Sequence, residues 1–330
     1  MATELQEIRR PFLLNDLDVR KPGLEISPLF RPTALKSAYN VFYTDYTSAE
    51  DSRDKHSNYE HDEIMDIDFV WTPGFRLSEC IPNQKKFNWA IASHVLEHVP
   101  DPIGWMLEVF EVLEVGAVFS IALPDKRYCY DKFRRETEVS DLIDAWIRGN
   151  KIPSPKQIYD FLSMSVNDDG TGANDSFHAP NQFDDAPRTY SDDEALSFSI
   201  HSWVSGTYLD VHCSVFTPES FCDLISKLNA IGVISVEVSQ PVIAKEEFYV
   251  SLRKVGEPRV AHPGSQHSNV SDVSDVSDAS ASSIDLEHAR KAFREAVEVQ
   301  IKLKETISHL ESGPKFKRWV PGWLKHLVSR

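Results

Sequence analysis

The chain has few cysteines, little basic charge and no long apolar run, and each shortage excludes a class of protein. Its four cysteines show no CxxC pair and no disulfide-framework spacing, which favours reduced thiols in a cytoplasmic protein. The net charge of −16 argues against a nucleic-acid partner, because phosphate binding needs a basic face. No stretch approaches the ~20 apolar residues of a membrane helix, and the amino terminus lacks a secretory apolar segment, so we expect a soluble protein.

What the sequence does contain is a series of short apolar runs that alternate with helical patterns. This alternation is typical of a mostly parallel α/β sheet. The predicted strands are Gly23–Ser27, Asn40–Thr44, Ile64–Asp68, Trp89–Ser93 and Ala117–Leu123. Two more, Val233–Val238 and Glu247–Leu252, lie close enough in the chain to form an antiparallel pair at a sheet edge.

Two helix starts stand out because each combines a capping residue with a first-turn proline. Asp101-Pro102 begins one helix, and Thr217-Pro218 begins another. Apolar residues at helical spacing follow the first start, and Gly116 is expected to end that helix. Between the two helices, residues 150–210 are rich in Ser, Asp, Asn, Pro and Gly. Such a segment predicts an irregular lid or insertion within a domain that spans residues 1–254.

The composition changes after Lys254. Residues 255–284 form a Ser/Asp-rich segment that predicts a disordered linker. Apolar residues in 285–312 alternate by four and three positions, which predicts a coiled-coil helix and a homo-oligomer. The tail, 313–330, is basic and carries two tryptophans. It favours a peripheral contact with an anionic membrane or a contact with protein, and the sequence leaves both open.

Acidic residues lie at the ends of the first three predicted strands: Glu25, Asp45 and Asp68. An adenosyl ligand needs acceptors for its ribose hydroxyls, its adenine amino group and its ammonium group. Carboxylates at adjacent strand ends can provide them from one crevice. The loops after the fourth and fifth strands add His98 and Asp125 as candidate general bases, with His178 and His212 as further candidates. Three basic residues could hold an anionic acceptor or could simply form a solvated face: Lys126, Arg127 and Arg134.

Three stretches make residues 20–254 resemble class I S-adenosylmethionine-dependent methyltransferases, in particular the small bacterial-type (type 11-like) domains. They are Leu24-Glu25-Ile26, SHVLEHV at 93–99 and LPDKRY at 123–128. The resemblance implies a Rossmann-like, seven-stranded, mostly parallel sheet with one antiparallel edge strand. It also implies that S-adenosyl-L-methionine lies across the ends of the first four strands. By position it places Glu25 and Ser27 at the methionine end, Asp45 at the ribose, Asp68 and Phe69 at the adenine, and Ser93 and His94 on the cofactor floor.

Three departures from that family leave two functions open: Asn88 stands in place of the usual Asp before the fourth strand, Val115-Gly116-Ala117 stands in place of a Pro-Gly-Gly turn, and the third is at Ser27-Pro28. Ser27-Pro28 stands where the family has glycine, which would let the backbone approach the ligand closely. The first function is a methyltransferase that acts on an O or N acceptor, a small molecule or a saccharide-linked group. The alternative is a catalytically decayed methyltransferase-fold adaptor that assembles through its C-terminal coiled coil.

The stretch His94-x-x-Glu97-His98 also matches HxxEH, a zinc-protease motif. A metalloprotease would need a long helix here, and Pro100 follows within two residues. Spacing places no third ligand either, so the sequence predicts no metal site. Glu97 and His98 are instead expected to orient the loop through hydrogen bonds to the backbone.

Overall fold

The computed structural model describes residues 2–29, 31–55, 64–166, 187–244 and 246–262, without the side chains of 2–6 and 54–55. The coiled-coil prediction for 285–312 and the prediction for the tail lie outside the described residues. No helix in the described part of the chain is both long enough and apolar enough to cross a bilayer.

One eight-stranded sheet forms the centre of the molecule, in the order β3-β2-β1-β4-β5-β8-β6, with β7 paired to β8. The strands are β1 Gly23–Ile26, β2 Val41–Asp45, β3 Phe69–Val70, β4 Phe87–Ser93, β5 Leu113–Pro124, β6 Val236–Val238, β7 Val242–Ala244 and β8 Glu247–Lys254. The first five are parallel, and β8 runs antiparallel to β5, β6 and β7. This confirms the predicted Rossmann-like, mostly parallel sheet with antiparallel pairing at one side. The sheet has eight strands and not seven, because the short strand β7 pairs with the start of β8.

Eight α-helices accompany the sheet in the described part of the chain. They are α1 Ala2–Leu13, α2 Ala49–Lys55, α3 Leu77–Cys80, α4 Pro102–Glu111, α5 Val139–Arg148, α6 Pro155–Met164, α7 Asp192–Ser205 and α8 Pro218–Ile231. Both predicted helix starts are confirmed. The Asp101 side chain accepts the Gly104 N–H at the start of α4, and the Thr217 side chain accepts the Ser220 N–H at the start of α8.

The predicted end of the first helix and the predicted third strand are wrong. The helix α4 ends at Glu111, and Gly116 lies inside β5 with a φ of 88°. The third strand is Phe69–Val70 and not Ile64–Asp68. The strand begins only at Phe69 because of a local hydrogen bond. The Asp68 carboxylate accepts the Tyr43 N–H of β2 at 2.7 Å, so this N–H is not available to a backbone carbonyl of a neighbouring strand.

The described residues of two segments predicted to be irregular or disordered make defined contacts. Residues 150–210 contain α6 and α7, whose apolar faces share a small core with Val211 and Cys213. Residues 167–186 lie outside the described residues. The start of the predicted disordered linker packs on the domain, where the Arg259 guanidinium donates to the Ala230 carbonyl at 2.9 Å and the His262 ring lies 2.8 Å from the Trp146 carbonyl oxygen.

Candidate functional site

The chain leaves β1 for β2 on one side and returns to β4 on the other, which makes the β1/β4 boundary a topological switch point. Open α/β sheets bind ligands in the crevice outside the carboxyl ends of the strands at such a point. Ser27 follows β1 directly and His94 follows β4 directly, and their φ angles are 52° and 55°. A left-handed conformation costs a non-glycine residue ~1–2 kcal/mol. Both strand ends at the crevice are therefore strained, as functional sites often are.

The connection from β1 to β2 is unusual because its described residues, 27–29 and 31–40, contain no α-helix. Parallel strands are usually joined through a helix, whose N-terminus can bind an anionic group. Here the Glu25 carboxylate holds the connection instead, and it accepts the N–H groups of Thr33 at 2.6 Å and Ala34 at 2.9 Å. Burial raises the pKa of Glu25 to about 7, against the effect of these hydrogen bonds. Glu25, predicted to meet the methionine end, thus has both carboxylate oxygens engaged within the protein.

Of the other predicted acids, the structure brings Asp45 to the crevice but commits Asp68 elsewhere. Asp45 is buried at the end of β2, directly after Thr44, whose carbonyl accepts the Ser27 N–H at 2.8 Å. Asp68 forms an ion pair with Lys36 at 2.7 Å in addition to its bond with β2. Phe69 stacks on Phe42 with ring centroids 5.7 Å apart. Asp68 and Phe69 therefore serve the β2–β3 contact.

Ser93 and His94, the predicted cofactor floor, differ in their surroundings. The Ser93 hydroxyl is buried, and no described residue hydrogen-bonds to it. The His94 ring is engaged, since its Nε2 lies 2.6 Å from Glu247 Oε2 and its Nδ1 lies 3.5 Å from Glu97 Oε1. Arg9 of α1 completes this network with an ion pair to Glu247 at 2.7 Å.

A second group of side chains, which we call the histidine cluster, comes from the loops after β4 and β5 and from the segment between α7 and α8. It consists of Glu97, His98, Asp131, Asp210 and His212. His98 Nδ1 lies 2.9 Å from Asp210, His212 Nδ1 lies 3.1 Å from Asp131, and the two ring centroids are 4.9 Å apart. Burial opposes a charge on His98, but the Asp210 carboxylate outweighs it and raises the pKa of His98 to about 9. His98 therefore carries a proton at neutral pH and can donate a hydrogen bond.

Buried polar contacts fix the histidine cluster in place. Asp131 is fully buried and pairs with Arg134 at 2.9 Å. Burial would raise the pKa of Asp131, but His212 and Arg134 together lower it below its usual range. The Glu97 carbonyl accepts the Cys213 N–H at 2.6 Å, so the loop after β4 is bound to the segment that carries His212.

The second candidate base, Asp125, does not join the histidine cluster. Its side chain is fully buried, and both carboxylate oxygens accept hydrogen bonds from the Arg127 guanidinium. It also accepts the Arg127 N–H and begins a short 3-10 turn. Lys126 donates to the Lys132 carbonyl at 2.6 Å. The basic residues predicted to hold an anionic acceptor thus make contacts within the protein.

Several site residues could not be found from the sequence. Asp210 lies 112 residues from His98, Asp131 lies 81 residues from His212, and Glu247 lies 153 residues from His94. No local motif links these positions. His212 was identified as a candidate by residue type alone, and His178 lies outside the described residues.

No protein-family model matches this chain, and no curated protein matches it. Solved structures resemble it at low identity. DhpI in its complex with SAH is 12% identical, with 78% of this chain and 88% of that chain covered and a TM-score of 0.37. The CurJ carbon methyltransferase is 10% identical, covering 78% of this chain and 54% of that chain at a TM-score of 0.36. A Thermotoga maritima protein described as a "possible histamine N-methyltransferase" is 11% identical, with 77% of this chain and 90% of that chain covered and a TM-score of 0.36. Similarity this low transfers no residue role.

Proposed function

We propose that this chain is an S-adenosylmethionine-dependent methyltransferase that binds its cofactor in the crevice at the ends of β1, β2 and β4. One observation carries the proposal, namely that Ser27 and His94 hold a left-handed backbone at the two strand ends that flank the switch point. Such strain persists only where the surrounding structure enforces it, and it clusters at ligand sites. The conformation at Ser27 is the one that glycine would adopt, so the glycine is lost from the sequence but its backbone path is kept.

Two polar groups at the crevice suit an adenosyl ligand. The buried Asp45 carboxylate, at the end of β2, would accept hydrogen bonds from the ribose hydroxyls. The buried Ser93 hydroxyl would gain a partner that the described residues do not give it. Methyl transfer depends chiefly on holding the acceptor in line with the sulfonium carbon. The histidine cluster, reached directly from the loop after β4, is where we place the acceptor, an oxygen or nitrogen of a small or saccharide-linked molecule.

A specific observation favours the second candidate, a decayed methyltransferase-fold adaptor. The described residues between β1 and β2 contain no helix whose N-terminus could face the cofactor, and Glu25 is occupied by the backbone of that connection. A chain that has lost cofactor binding no longer needs a helix N-terminus at the crevice or a Glu25 carboxylate that is available to a ligand. Its partners would then be proteins or membranes that contact the C-terminal segments.

Calorimetric titration of the full chain with S-adenosylmethionine and S-adenosylhomocysteine separates the two candidates. A micromolar dissociation constant supports the methyltransferase. The Asp45→Asn variant should bind at least about tenfold more weakly, a loss of ~1.4 kcal/mol. Asp66→Asn is the matched control, because the Asp66 side chain is 89% exposed and lies outside the crevice. No detectable heat from a chain that unfolds cooperatively would favour the adaptor.

A further inference from the structure

Three side chains of the histidine cluster are arranged as metal ligands. Glu97, His98 and His212 each offer one ligand atom, and these atoms lie within 4.8 Å of one another. We infer that this triad binds a divalent transition metal, with Zn²⁺ as the best-suited ion. Metal binding at the triad is independent of whether the crevice binds S-adenosylmethionine.

Each of the two histidines already has a carboxylate partner for one ring nitrogen, as metal-bound histidines do. An imidazole that binds a metal through one nitrogen almost always donates its other N–H to a carboxylate, a carbonyl or water. The Nδ1 atom of His98 lies 2.9 Å from Asp210, and the Nδ1 atom of His212 lies 3.1 Å from Asp131. Each ring therefore has its Nδ1 engaged, and an ion that binds His98 at Nε2 releases the proton that Asp210 favours there. Asp131 is itself fixed by Arg134, which makes the orientation of His212 rigid.

The Glu97 carboxylate supplies an independent reason to expect a cation. Its side chain is 2% exposed, and its Oε2 atom has no hydrogen-bond partner among the described residues. A buried carboxylate oxygen without a hydrogen-bond partner retains the unfavourable free energy of its desolvation. Glu97 Oε1 is 3.5 Å from His94, so only one oxygen of the pair is balanced within the protein. A metal ion between Glu97 and the two imidazoles would give the Oε2 atom of Glu97 a partner.

The donor set decides the class of ion. Two imidazoles and one carboxylate suit zinc and related first-row metals, whereas Ca²⁺ and Mg²⁺ prefer oxygen alone. Three protein ligands also leave a coordination position open for water or a substrate atom. This site is not the protease site that the HxxEH motif would form. His94 is held by Glu247, residues Leu96–His98 form a short 3-10 turn, and the third ligand comes from the segment before α8.

One competing set shares a ligand with the triad. Cys129, Asp131 and His212 also bring their ligand atoms within 4.8 Å of one another. Asp131 is already paired with both Arg134 and His212, and the Cys129 thiol lies 3.5 Å from the Asp125 carbonyl oxygen. An ion there would have to displace a guanidinium from its carboxylate. The triad requires no such displacement.

The test is Zn²⁺ binding by the full chain after treatment with a chelator and dialysis, measured by competition with a chromogenic chelator, with bound metal quantified by mass spectrometry. We expect about one high-affinity Zn²⁺ per chain, held at Glu97, His98 and His212. His212→Ala and Glu97→Gln should each lower the affinity by more than about 100-fold, because an outer partner alone contributes about 10–100-fold. Asp210→Asn changes only the outer partner of His98, and the Asp210 side chain is half exposed. This variant should lower the Zn²⁺ affinity by about 10–100-fold and leave the fold intact.

His262→Ala is the matched control, because it removes a histidine whose ring contacts the Trp146 carbonyl, outside the cluster. Its Zn²⁺ affinity should equal that of the wild type. Three results would overturn the inference. The first is that the folded wild type binds no Zn²⁺. The second is that Glu97→Gln, His212→Ala and Asp210→Asn all bind Zn²⁺ as the wild type does, which would place the ion on other histidines of the twelve in the chain. The third is that Cys129→Ala loses the ion while Glu97→Gln keeps it.

Discussion

His94 Nε2 and Glu247 Oε2 lie 2.6 Å apart, although 153 residues separate them in the chain. The contact joins the end of β4 to the start of β8, across the intervening β5. Arg9 adds an ion pair to the same carboxylate at 2.7 Å, and the Tyr249 hydroxyl donates to its other oxygen. One buried carboxylate therefore connects the amino-terminal helix, the crevice loop and the antiparallel side of the sheet.

This network predicts a pH-dependent contribution of Glu247 to stability. Burial would raise its pKa, but His94 and then Arg9 outweigh burial and lower it to about 2 from the ordinary value of 4.5. Because the folded-state pKa is depressed, the contribution is present above pH 4.5 and is lost as the pH falls towards 2. Its size is on the order of 3 kcal/mol. Urea unfolding of wild type and Glu247→Gln should show the variant less stable at pH 7, with the difference narrowing by about 2 kcal/mol as the pH falls to 3.

Glu114→Gln is the control for this experiment, because Glu114 is an exposed carboxylate at the opposite end of β5. Its effect should stay within about 0.5 kcal/mol at each pH. A difference between wild type and Glu247→Gln that stays constant from pH 7 to pH 3 would contradict the assigned ion pairs.

Glu25 predicts the opposite pH dependence. Burial raises its pKa to about 7 from 4.5, so its contribution is complete below pH 4.5 and is lost as the pH rises through 7. The loss amounts to about 3 kcal/mol. The Glu25→Gln variant cannot ionise at this position, so the stability of wild type relative to the variant should fall between pH 4.5 and pH 7.5. Urea unfolding at four pH values in this range would measure it.

Glu50→Gln provides the comparison, since Glu50 is an exposed carboxylate in the first turn of α2. Its stability relative to wild type should not vary with pH over the same range. Wild-type stability that rises with pH relative to Glu25→Gln would mean that the two backbone N–H groups outweigh burial, and it would refute the raised pKa.

Local signals in the sequence predicted the parts of the fold that depend on local physics. Asp101 and Pro102 fixed the start of α4 because capping and the proline φ act within one turn. The end of α4 was missed because Leu113 continues the helical spacing, whereas its pairing with Phe87 places it in β5. Strand pairing joins residues far apart in the chain, so periodicity cannot detect it.

The candidate site divides in the same way. Ser93, His94 and His98 were identified because one continuous motif contains the end of a strand and the loop that follows it. Asp210 and Asp131, which orient the two imidazoles, come from separate segments that only the folded chain brings together. Its position at a strand end and the family resemblance suggested that Glu25 meets a ligand. In the structure its carboxylate binds the backbone of the β1–β2 connection, whose path no local signal in the sequence reveals.

Position 23 has no room for a side chain, so we expect any substitution of Gly23 to destabilise the fold. A Cβ atom at this position would lie 1.9 Å from Cε2 of Trp89. Trp89 is fully buried and its indole N–H donates to the Lys21 carbonyl at 2.9 Å, so the ring has no room to move. We expect Gly23→Ala to lower the free energy of unfolding by about 1–3 kcal/mol or more. Gly256→Ala, whose Cβ would meet only Ser235 Oγ at 3.4 Å, should change it by less than about 0.5 kcal/mol. Equal urea midpoints for the two variants would contradict this packing.

Ser27→Gly tests whether the crevice is a weakened cofactor site. The backbone at Ser27 has a φ of 52°, which glycine adopts without strain, and glycine also removes a side chain at the crevice. We expect S-adenosylmethionine to bind Ser27→Gly about tenfold more tightly than wild type, a gain of ~1.4 kcal/mol. Ser27→Ala is the matched comparison, because it removes the hydroxyl but keeps the Cβ atom and the strained φ. Its affinity should equal that of wild type in the same calorimetric titration. If both variants bound S-adenosylmethionine more tightly, the effect would be due to the loss of the hydroxyl. If neither did, the absence of glycine at position 27 would not be the cause of weak binding.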